Sequence, residues 1–488
     1  MNKQKTVKTG IVWSFIEGFG IKIISTLVFF ILAKLLGATH FGLVAIATAF
    51  IDFGNVLVEQ GMVAALVQKE KLERAHLDTA FWINIGLGAS VFAILCLSAP
   101  FIADIYKEPS LTPVLQTSGL VFLIGPSGLV QVAQLTREMN FKLIARIRIV
   151  GLLAAAVVSL TMAFMGYGVW ALVFQKLVFM GLSTVLFWFW TKWIPRLSFS
   201  IDHFRELFPF SYKMMINNFL TYFSRNSIEL LIGFFHGTEA VGIYSFCYKV
   251  FQSTIETANT SVNKVMLPLF SSVQDDKAQL TKYFYKAIES SFTLLLPVLA
   301  LIVFLSPEAI LYFFNATWAE SADLLKLVSI GGTIYMIYYY TNTLWISTGR
   351  PDLVVRFTLI NVVINLALLA AVSKLPLIYV GYISIVRSLL LLPVAYVLSL
   401  KTAPISIQGS LQHLSRPFWM GGVTFLILAI SSAVIPVLSP EWIWFAIQGV
   451  IWSITVFVAL YFLLPSVLTP VFNSVSRVYL RVSGSRKV

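Results

Sequence analysis

Charge is scarce in this sequence. Asp, Glu, Lys and Arg make up 12% of its 488 residues, apolar residues make up 58%, and the mean hydropathy is +0.85. A soluble domain with so little charge would aggregate, which excludes a soluble enzyme or binding module. Cysteine is almost missing. Cys96 and Cys247 both sit in apolar runs, so no disulfide framework and no CxxC metal or redox motif is expected. The five histidines, His40, His76, His203, His236 and His413, stand alone, and none has a second ligand at metal spacing. Neither a metal nor a bound cofactor is expected. Large loops are lacking as well. The longest loop on the side opposite the N-terminus, SPEAILYFFNATWAE, has about 15 residues. It holds no paired carboxylates, no nucleophile–His pair and no phosphate cradle, so a transporter is expected and an enzyme is not. No cleavable leader is expected. The basic head MNKQKTVKTG runs into an apolar stretch that holds Glu17 and Lys22 and is too long for a signal segment, which makes it an uncleaved first helix.

What is present is a succession of long apolar runs from residue 11 to residue 464. Only helices and closed barrels satisfy the backbone in lipid, and these runs are too long and too uniformly apolar for barrel strands. The expectation is an all-α polytopic membrane protein of about fourteen helices: 11–36, 41–66, 77–98, 112–135, 146–165, 169–191, 207–234, 240–266, 285–305, 321–346, 355–373, 378–399, 417–437 and 442–463. Basic residues check the count. With the N-terminus inside, inside segments carry about 24 Lys and Arg, and outside loops carry only Lys107 and Lys374. This is the positive-inside pattern and places both termini in the cytoplasm. The net charge of +13 therefore belongs to the inner membrane face, and no nucleic-acid partner is expected. In the tail, Val471, Val475, Val478 and Val482 share one face, followed by Arg486 and Lys487. Such a tail can lie on the anionic inner leaflet or be a plain basic cytoplasmic extension.

The chain repeats itself. Gly37-x4-Gly42 in LLGATHFGLVAIATAF and Gly237-x4-Gly242 in FFHGTEAVGIYSFCYKV lie 200 residues apart, each at the tight outside turn between a first and a second helix. QLTREMN (134–140) and WISTGRPDL (345–353) occupy equivalent inside loops. The organisation expected is two parallel six-helix repeats, 1–205 and 206–400, two appended helices in 401–464 and a basic tail, 465–488. An even number of helices per repeat gives both the same orientation, related by an axis along the membrane normal.

Polar stripes cross the first two helices of each repeat. Asp52, Asn55 and Glu59 share one face of the second helix, and Lys213, Asn217, Thr221, Arg225 and Glu229 share one face of the seventh. Lys249, Gln252, Glu256, Asn259 and Asn263 do so on the eighth, and the first helix carries Glu17 and Lys22. Shifted by 200, Asp52 and Glu59 land on Gln252 and Asn259. A charge at mid-bilayer costs roughly 2.5–3.5 kcal/mol. Ion pairs gluing helices together explain single residues, while a water-filled cavity between the repeats explains the set. In that reading Lys22, Lys213, Arg225 and Lys249 accept an anion, with Gln252 and Asn259 hydrogen-bonding a polar cargo. Asp52, Glu59, Glu229 and Glu256 are the candidate sites for H+ or Na+. IYMIYYYTNTLW (334–345) in the tenth helix suits either sugar stacking or an interfacial aromatic belt.

Several stretches carry a family likeness: TVKTGIVWS (6–14), FGLVAIATAFIDFGNVLVEQGMVAALVQKE (41–70), LPLFSSVQDD (267–276), FFNATWAESADLLKL (313–327) and STGRPDL (347–353). In this order and spacing the chain resembles the bacterial polysaccharide or O-antigen flippases of the multidrug/oligosaccharidyl-lipid/polysaccharide exporter superfamily, in the branch that includes the colanic-acid exporter. The resemblance implies a flippase in the bacterial inner (plasma) membrane. It would move undecaprenyl-pyrophosphate-linked oligosaccharide to the outer leaflet by alternating access of two bundles, driven by an ion gradient. It also implies membrane lipids and polysaccharide polymerase and export proteins as partners, with the chain acting as a monomer. In that setting Lys213, Arg225 and Lys249 would grip the pyrophosphate. A multidrug or small-cation antiporter is the nearest alternative, although its cavity would be net acidic. A membrane-embedded glycan polymerase or ligase is the further one.

Overall fold

The computed structural model describes residues 3–59, 62–69, 71–314, 316–435 and 441–463, and all regular structure among them is helical. The tail, 465–488, lies outside the described residues. The run Lys3–Glu59 is two helices, α1 (3–36) and α2 (38–59), joined at Gly37, whose φ is 77° and ψ 171°. The run Ile201–Ser272 is likewise α7 (201–236) and α8 (238–272), joined at Gly237 with φ 84° and ψ 179°. That corner of backbone space is essentially reserved for glycine, because a Cβ there strikes neighbouring backbone. The turn expected from a two-glycine match is thus the same turn, built twice.

Between these corners lie α3 (Arg74–Tyr106), α5 (Phe141–Phe164) and α6 (Val169–Thr191). The intervening α4 is broken into Leu111–Gly119, Val121–Ile124 and Leu129–Arg137 around a 3-10 turn, Gly125–Gly128, where Pro126 removes a backbone donor. After α8 come α9 (Lys277–Phe313), α10 (Ser321–Tyr338, continued by Thr341–Ser347), α11 (Pro351–Val372), α12 (Ile378–Ser399), α13 (Ile407–Val434) and α14 (Glu441–Leu463). The fourteen expected segments are all found among the described residues. By length and composition, eleven stretches can cross a membrane. Gly20–Gln68 takes in part of α1 and all of α2, Asn226–Glu256 takes in parts of α7 and α8, and α10 is the segment left out. Large side chains such as Leu97, Phe189 and Trp419 are 83%, 70% and 71% exposed, a surface suited to lipid and not to water. The protein is an all-α, multi-pass membrane protein.

Helix ends differ from expectation where polar caps extend a helix past its apolar run. α9 starts at Lys277 and not 285, because the Asp276 carboxylate accepts from Ala278 N and Gln279 N, both at 3.0 Å. α13 starts ten residues earlier than expected, at Ile407, where Ser406 Oγ accepts from Gly409 N at 3.0 Å. Asn140 caps α5 in the same way, accepting from Leu143 N at 3.4 Å.

The chain forms two compact units, Met1–Ser245 and Phe246–Val488. In the first, α3 packs on α4, α4 on α6 and α5 on α6. In the second, α9 packs on α10, α10 on α12 and α11 on α12, which is the same set of pairings six helices later. There α13 adds to α9, and α14 to α13. The two corners meet inside the first unit. A Cβ on Gly42 would lie 2.6 Å from the Thr238 carbonyl carbon and 3.0 Å from Gly242 N. A Cβ on Gly242 would lie 2.7 Å from the Ala38 carbonyl carbon and 3.0 Å from Gly42 N. Each atom in this contact has its counterpart 200 residues away. The corners therefore cross back to back about a local two-fold axis, and only glycine lets the backbones come this close.

Candidate functional site

In the first unit the polar groups on α2 find partners on α6 and α7. Asp52 hydrogen-bonds the Asn226 side chain and faces the Lys176 ammonium. Tyr222, buried, stands beside Asp52, Tyr106 and Glu229. Glu229 accepts from Ser245 Oγ at 3.1 Å, and the Tyr106 hydroxyl donates to Leu230 O at 3.1 Å. Phe53 packs on Tyr222 with ring centroids 5.4 Å apart. A carboxylate, an ammonium and two phenols thus share one site among apolar surroundings, where opposite charges offset each other's insertion cost. Sequence spacing singled out Asp52 and Glu229. It does not single out Lys176, Asn226, Tyr222 or Tyr106, because these lie on helices whose neighbours only the fold reveals. Lys22 on α1 is half-buried, and its carbonyl accepts from Ser25 Oγ at 3.1 Å. The side chains of Glu59, Lys213 and Arg225 lie outside the described residues.

The α8 stripe divides in two within the second unit. Lys249 and Glu256 are exposed, and Gln252 Nε2 donates to Glu256 Oε1 at 2.7 Å. Further along, Asn259 is buried. Its Nδ2 donates to Met336 Sδ at 3.1 Å, and its Oδ1 accepts from the Tyr340 hydroxyl at 3.1 Å. Tyr340 also bonds Ser291 Oγ on α9. Asn263 donates to the Tyr339 hydroxyl at 3.1 Å and accepts from Thr343 Oγ1 at 3.0 Å. Two of the tyrosines in the α10 cluster therefore bond the α8 amides, and Tyr338 and Tyr340 are buried. On α12, Arg387 Nη1 donates to Asn365 Oδ1 on α11 at 3.4 Å. The exposed end of the stripe can meet a cargo, while the buried end holds α8 to α10.

A third arrangement lies at the loop end of the first unit. The segment 192–200, between α6 and α7, is strapped to the first turns of α3. Asp78, 1% exposed, accepts from Arg196 N at 3.1 Å and from Ser198 Oγ at 3.3 Å. Ser200 N donates to Thr79 Oγ1 at 3.2 Å, and Trp82 Nε1 donates to Arg196 O at 2.7 Å. At the start of α7, hydrogen bonds from Lys69 and then His76 hold the Glu206 carboxyl at about 2, well below its ordinary range. Arg137 Nη1 donates to Leu66 O at 2.9 Å and Val67 O at 3.0 Å, closing the end of the short helix Met62–Gln68. Glu73, His76 and His203 bring ligand-type atoms within 4.8 Å of one another. Spacing could not show this, because His76 and His203 open different helices.

The profile of the family described as polysaccharide biosynthesis protein matches residues 31–323. The chain is 24% identical over 423 residues to the teichuronic acid biosynthesis protein TuaB of Bacillus subtilis, covering 85% of this chain and 86% of that one. It is 24% identical over 357 residues to the lipopolysaccharide biosynthesis protein WzxC of Escherichia coli, covering 73% and 72%. It is 26% identical over 339 residues to the succinoglycan biosynthesis transport protein ExoT of Rhizobium meliloti, covering 67% and 66%. Among solved structures, the fold is like that of the lipid II flippase MurJ in an inward closed conformation, with a TM-score of 0.74 at 14% identity, over 92% of this chain and 98% of that one. An inward-facing multidrug resistance transporter of the MATE family gives a TM-score of 0.60 at 12% identity, over 78% and 95%. Matched by that profile over more than half its length, this chain belongs to the polysaccharide biosynthesis protein family.

Proposed function

We propose that the protein is a flippase that moves undecaprenyl-pyrophosphate-linked oligosaccharide from the inner to the outer leaflet of the bacterial plasma membrane. It works by alternating access and keeps both termini in the cytoplasm. The observation that carries the reading is the set of relatives: proteins named for biosynthesis or transport of three different surface polysaccharides match 67% to 85% of the chain. What those names have in common is a surface polysaccharide and not a particular sugar. The fold supports the reading, since the likeness to a lipid II flippase extends over 92% of the chain while the likeness to a multidrug transporter covers 78%.

Chemistry sets the division of labour. The polyprenyl tail costs about 0.8 kcal/mol per CH2 to expose to water, so it stays in lipid while the glycan crosses. The pyrophosphate cannot cross hydrocarbon unpaired. Lys249, exposed on α8, and Arg225 and Lys213 on α7 supply the cations, with Gln252 serving the sugar hydroxyls. Asp52, Glu59, Glu229 and Glu256 are the groups for a coupling H+ or Na+, because among the stripe residues only the carboxylates can take up either cation. The test is reconstitution into liposomes carrying a fluorescent undecaprenyl-pyrophosphate oligosaccharide. Protein-dependent appearance of the probe on the opposite leaflet is expected, and it should fall sharply in Arg225→Ala and in Lys249→Ala. Vesicles that move a small organic cation but not the lipid would give the antiporter reading the field.

A further inference from the structure

The geometry points to a binding site for a divalent transition-metal ion, of the Zn2+ class, at the loop end of the first unit, formed by Glu73, His76, His203 and Glu206. The ligand-type atoms of Glu73, His76 and His203 all lie within 4.8 Å of one another. His203 Nε2 stands 3.5 Å from Glu73 Oε2, and His76 Nε2 stands 3.1 Å from Glu206 Oε2. A tetrahedral ion with Zn–N and Zn–O distances near 2.0–2.2 Å holds its ligand atoms roughly 3.3–3.5 Å apart. Two of the edges are already at or near that length, and those among Glu73, His76 and His203 need close by no more than about 1.3 Å. The mobile partners are the carboxylates. Glu73 and Glu206 are 69% and 49% exposed, against 3% for His76.

The histidines are held for this task. His203 Nδ1 lies 2.6 Å from Ser200 Oγ, which fixes the ring and turns Nε2 towards Glu73. Ser200 is itself anchored to Thr79 on α3 by its backbone N–H, at 3.2 Å. A metal-bound histidine ordinarily donates its second ring N–H to such an outer partner, and losing that partner costs about 10–100-fold in affinity. The two rings meet edge to face, with centroids 4.3 Å apart and planes at 89°, so they are immediate neighbours. His76 must adjust. Its Nδ1 accepts from Glu73 N at 3.2 Å, so its proton rests on Nε2 and goes to Glu206. An ion at Nε2 requires that proton to move to Nδ1, and the bond from Glu73 N gives way. Without the ion, Lys69 supplies the positive charge at Glu206. Two carboxylates and one ammonium leave room for a further positive charge, and a divalent ion binds by displacing the ammonium from Glu206. Bound there, it joins the first turn of α3 to the first turn of α7.

The test uses the full chain without a histidine tag, purified in detergent, with ZnCl2 titrated by calorimetry and CoCl2 followed by absorption. One ion per chain and the intense visible bands of tetrahedral Co2+ are expected. His203→Ala should weaken Zn2+ binding at least ten-fold, and Ser200→Ala by roughly ten-fold. Lys69→Met should tighten it several-fold, the opposite of what a purely structural role of Lys69 would produce. Should His203→Ala fail to fold, Glu73→Gln, at an exposed side chain, carries the same expectation of weaker binding. Absence of saturable binding, an octahedral Co2+ spectrum, wild-type affinity in the His203 or Glu73 variant, or loss of binding in His413→Ala alone would each overturn the site.

Discussion

Gly242→Ala places one methyl group where two helix corners cross. Its Cβ would stand 2.7 Å from the Ala38 carbonyl carbon and 3.0 Å from Gly42 N. Comfortable carbon contacts begin near 3.5 Å, and the Ala38 carbonyl oxygen lies closer still than its carbon, so the corners must part by more than about 0.8 Å. Both obstacles are backbone atoms, which no side-chain rotation can clear. Overpacking of this kind costs about 1–3 kcal/mol. At roughly 2–4 °C per kcal/mol for a body of this size, the melting temperature should fall by about 2–12 °C. A second glycine isolates the cause. A Cβ on Gly86 in α3 would meet nothing within 4 Å. Gly86→Ala should therefore keep or gain stability, by up to about 1 kcal/mol, because alanine loses less chain entropy in a helix. Gly42→Ala attacks the same crossing from the other side, so the double variant should lose less than the two single losses added together. Tryptophan fluorescence of the purified protein during heating provides the assay. If Gly242→Ala melts with Gly86→Ala, or if the double variant is strictly additive, the backbone crossing is not holding the first unit together.

Three further outcomes follow. Asp52→Asn leaves the Lys176 ammonium without its carboxylate and should lower the melting temperature, since breaking a buried pair costs up to about 3–5 kcal/mol; adding Lys176→Gln should restore much of the loss, and full transport by that double variant would mark Asp52 as glue and not as a coupling site. Asn259→Leu strips the Tyr340 hydroxyl of its amide acceptor and should cost about 1–3 kcal/mol, measured by thermal unfolding without substrate; unchanged stability would mean the buried network carries no weight. The Asp276 carboxyl is held below its ordinary 3.8 chiefly by the Gln279 N–H and side chain, so its stabilisation is complete above that pH and is lost as the pH falls further. Asp276→Asn keeps the cap without the titration, and its melting temperature should converge on that of the wild type as the pH drops from 5 to 3; parallel curves would refute the cap's charge.

The fold could be read from the sequence wherever a single residue type is imposed by the backbone. Gly37 and Gly237 show this, because their φ of 77° and 84° admits little else and the 200-residue offset is then visible as letters. Helix ends were harder to read. Hydropathy reports the thickness of the apolar layer, whereas Asp276, Ser406 and Asn140 end helices by hydrogen bonds to N–H groups beyond that layer. Least legible were the partners of polar residues. Asp52 stands out by its charge, but Lys176 is four helices further along, and no periodicity links the two. His76 and His203 look isolated for the same reason, since the strap that joins them runs through Asp78 and Thr79, which no spacing links to residues 196–200.

Comparing the two repeats at equivalent positions carries the argument one step further. Shifted by 200, Asp52 becomes Gln252, whose amide donates to the exposed Glu256 at 2.7 Å. Asp52 itself faces an ammonium inside the first unit. Duplication therefore preserved the helix path and the glycine corners while the charge at this depth diverged. A symmetric pair of acidic sites would serve a small cation equally well from either half. The asymmetry kept here suits a cargo with two chemically different ends, an anion beside a chain of hydroxyls. In the proposed function the two halves then do separate work: Asp52, beside Lys176, serves the coupling cation, while α8 presents Lys249 to a phosphate and Gln252 to a sugar.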